Sequence, residues 1–155
     1  MSTRPVVSNS SPLIAPEAIG ELALLDAIFP SRVCIPEAVA REVASSVALP
    51  AWLSVRTLSQ PLAPAVLRDS LGPGGREAIC LALELQAEAL VMDDLTARNL
   101  ADRLGVQVVG TVGVIIQAKR QGVLKAARPY LEQLRATGLY ISDHLLERAL
   151  ELAGE

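Results

Sequence analysis

Short apolar segments alternating with amphipathic helical segments predict an α/β fold with a central parallel sheet covered by helices on both faces. Two observations carry this expectation. The candidate strands are almost wholly apolar, as strands buried on both faces must be, and helical segments separate them, as parallel crossovers require. Scale agrees: 155 residues, 51% hydrophobic and 20% charged, suffice for one domain that buries roughly two-thirds of its unfolded surface. A single domain over residues 1–155 is expected, with no internal repeat, linker or low-complexity stretch.

Arg4–Ser8 (RPVVS) is the first strand, ended by the turn chemistry of Asn9-Ser10-Ser11-Pro12. Pro16–Phe29 has helical apolar spacing interrupted by Gly20, so it forms one broken helix or two short ones. Arg32–Ile35 is the second strand, and Pro36 opens a helix at the favoured first position. After Pro50, Leu53–Leu58 alternates as an edge strand would. Leu71–Gly75 is a glycine-rich loop leading into a helix over Arg76–Gln86. Ala89–Met92 is a strand stopped by Asp93-Asp94; Leu95–Leu104 is an amphipathic helix closed by Gly105. Val106–Val109 is the last strand. Helices then follow at Val112–Gln121, around Ala126–Ala136, and at Ser142–Ala153.

Composition excludes much chemistry. Cys34 and Cys80 sit in apolar runs as reduced core residues, and His144 stands alone. The spacing for a zinc cluster is missing, and so is a basis for a Ser-His-Asp mechanism. No uninterrupted apolar stretch reaches the roughly 18 residues of a membrane span, and nothing resembles a secretory signal, so a cytoplasmic protein is expected. The rich apolar share favours a homodimer or a bound partner.

The net charge of −3 hides an asymmetry. From Thr96 to Arg135, seven basic residues (Arg98, Arg103, Lys119, Arg120, Lys125, Arg128, Arg135) face two acidic ones (Asp102, Glu132), a balance of +5; the rest carries −8. A phosphate-tracking surface beside an acidic pocket needs such a division, and so does a merely solvated helical face.

In an open parallel sheet, ligands collect at the carboxyl ends of the strands. There the sequence places Asn9, Ser10 and Ser11, then Asp93 and Asp94, then Gly110 and Thr111, with Glu42 and Glu77 on adjoining helices. Carboxylates gathered at one edge repel unless a cation neutralises them. Their hard oxygens suit Mg²⁺ or Mn²⁺, which activate water for phosphodiester attack. Each acid also has a local explanation: Asp93 or Asp94 as a helix cap, Glu77 as a partner of its helix dipole.

Four segments, in order, resemble the motifs of PIN domains. They are Val7-Ser8-Asn9-Ser10-Ser11-Pro12-Leu13-Ile14, Ile35-Pro36-Glu37-Ala38-Val39-Ala40-Arg41-Glu42, Gly75-Arg76-Glu77-Ala78-Ile79-Cys80-Leu81-Ala82 and Leu90-Val91-Met92-Asp93-Asp94. Ala97-Arg98, Leu104–Val114, Ile141-Ser142-Asp143 and Leu152–Glu155 are similar to a prokaryotic, toxin-like (VapC-related) branch, so the resemblance spans essentially the whole chain. It implies a three-layer α/β/α fold and a Mg²⁺- or Mn²⁺-dependent endoribonuclease, the toxin of a pair with a small antitoxin protein. It further implies Glu42, Glu77 and Asp94 as catalytic carboxylates; the doubled acid leaves Asp93 open as the alternative to Asp94 or as a partner behind it, and Asn9 and Asp93 complete the metal set. RNA would lie against Ser10, Ser11, Arg98, Lys119, Arg120 and Lys125. One departure stands out: Asn9 occupies the place where most PIN nucleases carry Asp. A PIN-like protein that binds RNA or protein without cleaving is therefore the alternative. A phosphate-accepting receiver domain shares the topology, but its acidic pair belongs near the first strand.

Overall fold

A computed structural model of the chain describes residues 3–67 and 70–155. Among them β1 (Val6–Ser8), β2 (Val33–Pro36), β3 (Ser54–Arg56), β4 (Ala89–Val91) and β5 (Val108–Val109) form one sheet in the order β3-β2-β1-β4-β5. Every neighbouring pair is parallel. Helices α1 (Ser11–Ala18) and α2 (Leu24–Ile28) follow β1, and α3 (Glu37–Val43) follows β2. Then α4 (Pro64–Leu67) and α5 (Pro73–Glu84) lead into β4, and α6 (Leu95–Arg103) joins β4 to β5. The chain ends with α7 (Thr111–Arg120), α8 (Arg128–Ala136) and α9 (Asp143–Leu152).

Strands β1, β2, β4 and β5 are almost wholly apolar because successive side chains enter different cores. Val6, Val33, Ile35, Ala89 and Val91 point to one face, where Leu13, Leu25, Ile115, Leu131, Leu134 and Leu150 cover them. Val7, Cys34, Leu90 and Met92 point to the other, against Val66, Ile79, Leu81, Ala97 and Leu100. The three-layer α/β/α architecture expected of a PIN-like fold is thus present. Both cysteines are buried free thiols, and loss of hydration pushes each thiol above its usual range. No described helix is long and apolar enough to cross a membrane.

Local signals placed most elements. Gly20 takes φ 73° and separates α1 from α2; Gly105, at φ 79°, follows the end of α6. These are backbone angles at which a Cβ is strained. β3 lies at the sheet edge with exposed side chains, as its alternation suggested. The differences lie at helix starts. Helix α5 begins at Pro73, inside the stretch expected as loop, because Pro73 occupies the first helical turn after Gly72. Helix α1 likewise begins at Ser11, with Pro12 in its first turn, where turn residues suggested a loop. Pro36 ends β2 and caps α3 rather than entering the helix. The single turn α4 is too short to leave a periodic signal.

The chain moves from β1 outward to β2 and β3, then crosses back to add β4 and β5 on the other side. The strand order therefore reverses between β1 and β4, which opens a crevice at their carboxyl ends. Asn9 leaves β1 there and Asp93 lies just beyond β4. The Asn9 N–H donates to the Val91 carbonyl at 2.9 Å, which fixes the crevice floor.

Candidate active site at the carboxyl edge of the sheet

Asp93 is the most firmly held acid at this edge. Its carboxylate accepts from the Thr111 N–H at 2.8 Å, the Thr111 hydroxyl at 2.6 Å and the Ser11 hydroxyl at 3.0 Å. Thr111 is 1% exposed, so its two donors have little water to exchange with. The carboxylate thereby joins the starts of α1 and α7. Gly110 belongs to the same arrangement. A Cβ there would fall 2.9 Å from Arg98 Nη1 and 3.1 Å from Asp93 Oδ1, so glycine leaves room for both charged groups.

Asp94 behaves differently. Its Oδ1 accepts the Ala97 N–H at 2.8 Å and caps α6, while the residue as a whole is exposed. The doubled acid left open in the sequence is thus divided between an inward Asp93 and a helix-capping Asp94.

Glu42 and Glu77 reach the same end of the sheet from α3 and α5, which pack together. Ser10 Oγ donates to Glu42 Oε1 at 3.2 Å. The Glu42 carboxylate also lies over Gly74, in the first turn of α5, so closely that a Cβ at 74 would overlap it, 2.1 Å from Oε2. Glu77 Oε1 accepts the Ala38 N–H at 3.1 Å, and its other oxygen sits 4.0 Å from Arg41. Pro36 has no side-chain oxygen with which to cap α3, so Glu77 supplies that cap from a neighbouring helix. The adjacent serines Ser10 and Ser11 therefore bind Glu42 on one side and Asp93 on the other.

Asn9 lies between these groups in the chain order of the edge, and its Oδ1 is buried without a hydrogen-bond partner. Such an oxygen costs about 1–3 kcal/mol unless something satisfies it. The donors gathered here are all oxygen, as a hard divalent cation prefers. Among the described residues, no three acids stand close enough to form a ready-made metal cluster. That still fits Mg²⁺ or Mn²⁺, because Mg²⁺ typically binds through one or two carboxylates and keeps several waters. Asn9 Oδ1 and Asp93, with Glu42 and Glu77 at the margin, suit that mode.

The basic residues expected along the RNA do not share one place. Arg98 is half-buried at the site. Lys119 and Arg120 end α7, whose ten residues run about 15 Å away from the strand ends. There Lys119 donates to the Ala153 carbonyl at 3.1 Å and lies 3.8 Å from Glu155, while Arg120 and Lys125 are exposed. His144 is exposed at the start of α9. Sequence reasoning placed Thr111 at a strand end without a role, and a threonine after a strand carries no sign that both its donors will face one acid. Gly74 did leave a signal, a glycine pair opening a helix, but its purpose is visible only with Glu42 in place.

The family model DUF3368, a PIN domain, matches residues 5–155. No curated protein is significantly similar to the chain. Among solved structures, the chain is similar to a PilT N-terminus domain protein from the hyperthermophilic archaeon Sulfolobus solfataricus P2. The identity is 21%, the match covers 70% of this chain and 88% of that one, and the TM-score is 0.48. With 151 consecutive residues matched by the family model, from 5 to 155, the chain belongs to the PIN-domain family DUF3368.

Proposed function

We propose that this PIN domain is a Mg²⁺- or Mn²⁺-dependent endoribonuclease acting in the cytoplasm as the toxin of a VapC-like toxin–antitoxin pair. The observation that carries the nuclease reading is that Asp93, held by three donors, and the unpartnered Asn9 Oδ1 stand just beyond the carboxyl ends of neighbouring strands, at the strand-order reversal. Asn9, Glu42, Glu77 and Asp93 would hold the cation, with Asp94 contributing from the cap of α6. When bound, the ion would make a water more acidic and neutralise the attacked phosphodiester. Thr111 and Ser11 keep the Asp93 carboxylate aimed, Ser10 restrains Glu42, and Arg98 offers a guanidinium to a phosphate oxygen. The far-edge Lys119, Arg120 and Lys125 would add long-range attraction for RNA. Exposed apolar side chains such as Leu95, 72% exposed, and Leu145 and Leu152 on α9 give an antitoxin or a second copy a surface to cover.

The test is incubation of the protein with a labelled single-stranded oligoribonucleotide in Mn²⁺ and, separately, in EDTA. Cleavage confined to the Mn²⁺ reaction is expected. Binding without cleavage in either would favour the alternative, an RNA-binding PIN domain without hydrolysis, which the uncharged Asn9 supports.

Gly74→Ala separates the site from the fold. Alanine is the better helix former by roughly 0.5–1 kcal/mol, and the group it strikes is the mobile end of an exposed side chain. Thermal denaturation should therefore show stability unchanged within about 1 kcal/mol. Calorimetric titration should show weaker Mn²⁺ binding, because Glu42 is pushed off Ser10. Unaltered Mn²⁺ affinity would place Glu42 outside the cation site.

A further inference from the structure

The chain has four aromatic residues. Phe29, Trp52 and Tyr130 are partly buried and pack against the core. Tyr140, between α8 and α9, is 86% exposed. A large ring left in water forfeits the burial that stabilises the other three, so its placement calls for a cause.

The backbone carrying Tyr140 is well anchored. Leu139 packs on the core and Ile141 is 4% exposed, so the residues on either side of the ring are held inward. The Thr137 hydroxyl donates to the Leu134 carbonyl at 2.6 Å. Arg135 donates to the Asp143 carboxylate at 3.1 Å and to the Ser142 carbonyl at 3.4 Å. The ring is thus presented from a braced corner, at little further cost in ordering.

Two grooves meet at this ring. One, of about 310 Å³, runs between Tyr140 and Ser11. The other, of about 280 Å³, runs between Tyr140, Arg98 and Asp93. Ser11 and Asp93 are themselves hydrogen-bonded, so the two grooves, which share Leu139 and Tyr140, both reach the acidic site. Each has the volume of a small-ligand pocket, room for a nucleotide unit rather than for a folded segment. Both linings are mostly apolar; the first adds the Ser11 and Thr137 hydroxyls and the second the Asp93 carboxylate and Arg98 guanidinium, charges of which the core of a protein interface is depleted.

We infer that Tyr140 is a stacking platform for a nucleobase of single-stranded nucleic acid whose backbone crosses the Ser11–Asp93 contact. The inference rests on the nucleic-acid reading above and deepens it. Arg98 lies in the second groove within reach of a flanking phosphate, and the aromatic face accepts any base, so the platform positions the strand without selecting sequence.

A short single-stranded oligoribonucleotide carrying a fluorescent adenine analogue tests this, with EDTA present to prevent cleavage. Stacking on the ring should quench the analogue at one position along the strand. Tyr140→Ala should abolish that quench and weaken binding roughly tenfold, whereas Tyr140→Phe should retain both. If the wild-type protein binds the strand and Tyr140→Ala binds it equally well, the platform is wrong while the nucleic-acid reading survives. If Tyr140→Ala leaves affinity unchanged but dissociates a dimer in sedimentation, the ring belongs to a contact between two copies. If the wild-type protein binds no strand at all, the nucleic-acid reading falls and this inference falls with it.

Discussion

Asp93→Asn should remove metal-dependent RNA cleavage and lower the stability of the fold by about 1–3 kcal/mol. The substitution preserves shape, so its effect is one of charge and hydrogen bonding. The carboxylate accepts from the Thr111 N–H, the Thr111 hydroxyl and the Ser11 hydroxyl. An asparagine turns one of its two oxygens into a donor, so at least one of the three must rotate away or go unpaired beside the buried Thr111. Loss of the negative charge should also reduce Mn²⁺ affinity by at least the roughly 10–100-fold that loss of an outer-shell partner alone costs. Asp94→Asn is the matched control. It keeps the exposed cap of α6, since asparagine caps a helix about as well as aspartate, so stability should hold and Mn²⁺ titration should register only a small change. Denaturation and calorimetry on the two variants decide between the acids. A larger loss of Mn²⁺ affinity at Asp94 would reverse the assignment.

Asn9→Asp is expected to act in the opposite direction. The side chains are nearly isosteric, and the backbone bond from Asn9 to the Val91 carbonyl does not depend on either. The change places a charge where a buried amide oxygen stands without a partner. With metal present, a carboxylate at this position should tighten Mn²⁺ binding about tenfold, a gain of about 1.4 kcal/mol, and raise RNA cleavage at limiting metal. Without metal the same charge lies buried near other acids, and the variant should unfold more easily than the wild type by at least about 1 kcal/mol. Added Mn²⁺ should then restore stability through mass action. Equal affinities for the two proteins, measured by calorimetry, would put position 9 outside the cation site.

The linear pattern of residues determined the layers, the parallel pairing and the edge at which the acids collect. These follow from properties local to each segment. The strands Val6–Ser8, Val33–Pro36 and Ala89–Val91 are buried at consecutive positions, and apolar at all of them but Ser8, because both faces of the sheet are covered. Gly20 and Gly105 interrupt helices by conformational freedom that no neighbour has to supply. Motif order carried the family as well, since spacing survives where individual side chains vary.

Only the tertiary structure decided what those acids meet. Asp93 and Asp94 are indistinguishable as letters. Thr111, 18 positions on from Asp93, brings two donors to one of them, and the first turn of α6 takes the other. Glu42 and Gly74 are brought together by the packing of α3 on α5, not by any local rule. The run of basic residues looked continuous along the chain, yet α7 carries Lys119 and Arg120 away from Arg98 because a helix following a parallel strand runs back along the sheet. Tyr140 was one aromatic among four until folding packed the other three, partly buried, against the core and left its ring beside the grooves. In each case the outcome depends on which donors, charges and volumes arrive from distant segments, a quantity that periodicity and propensity do not contain.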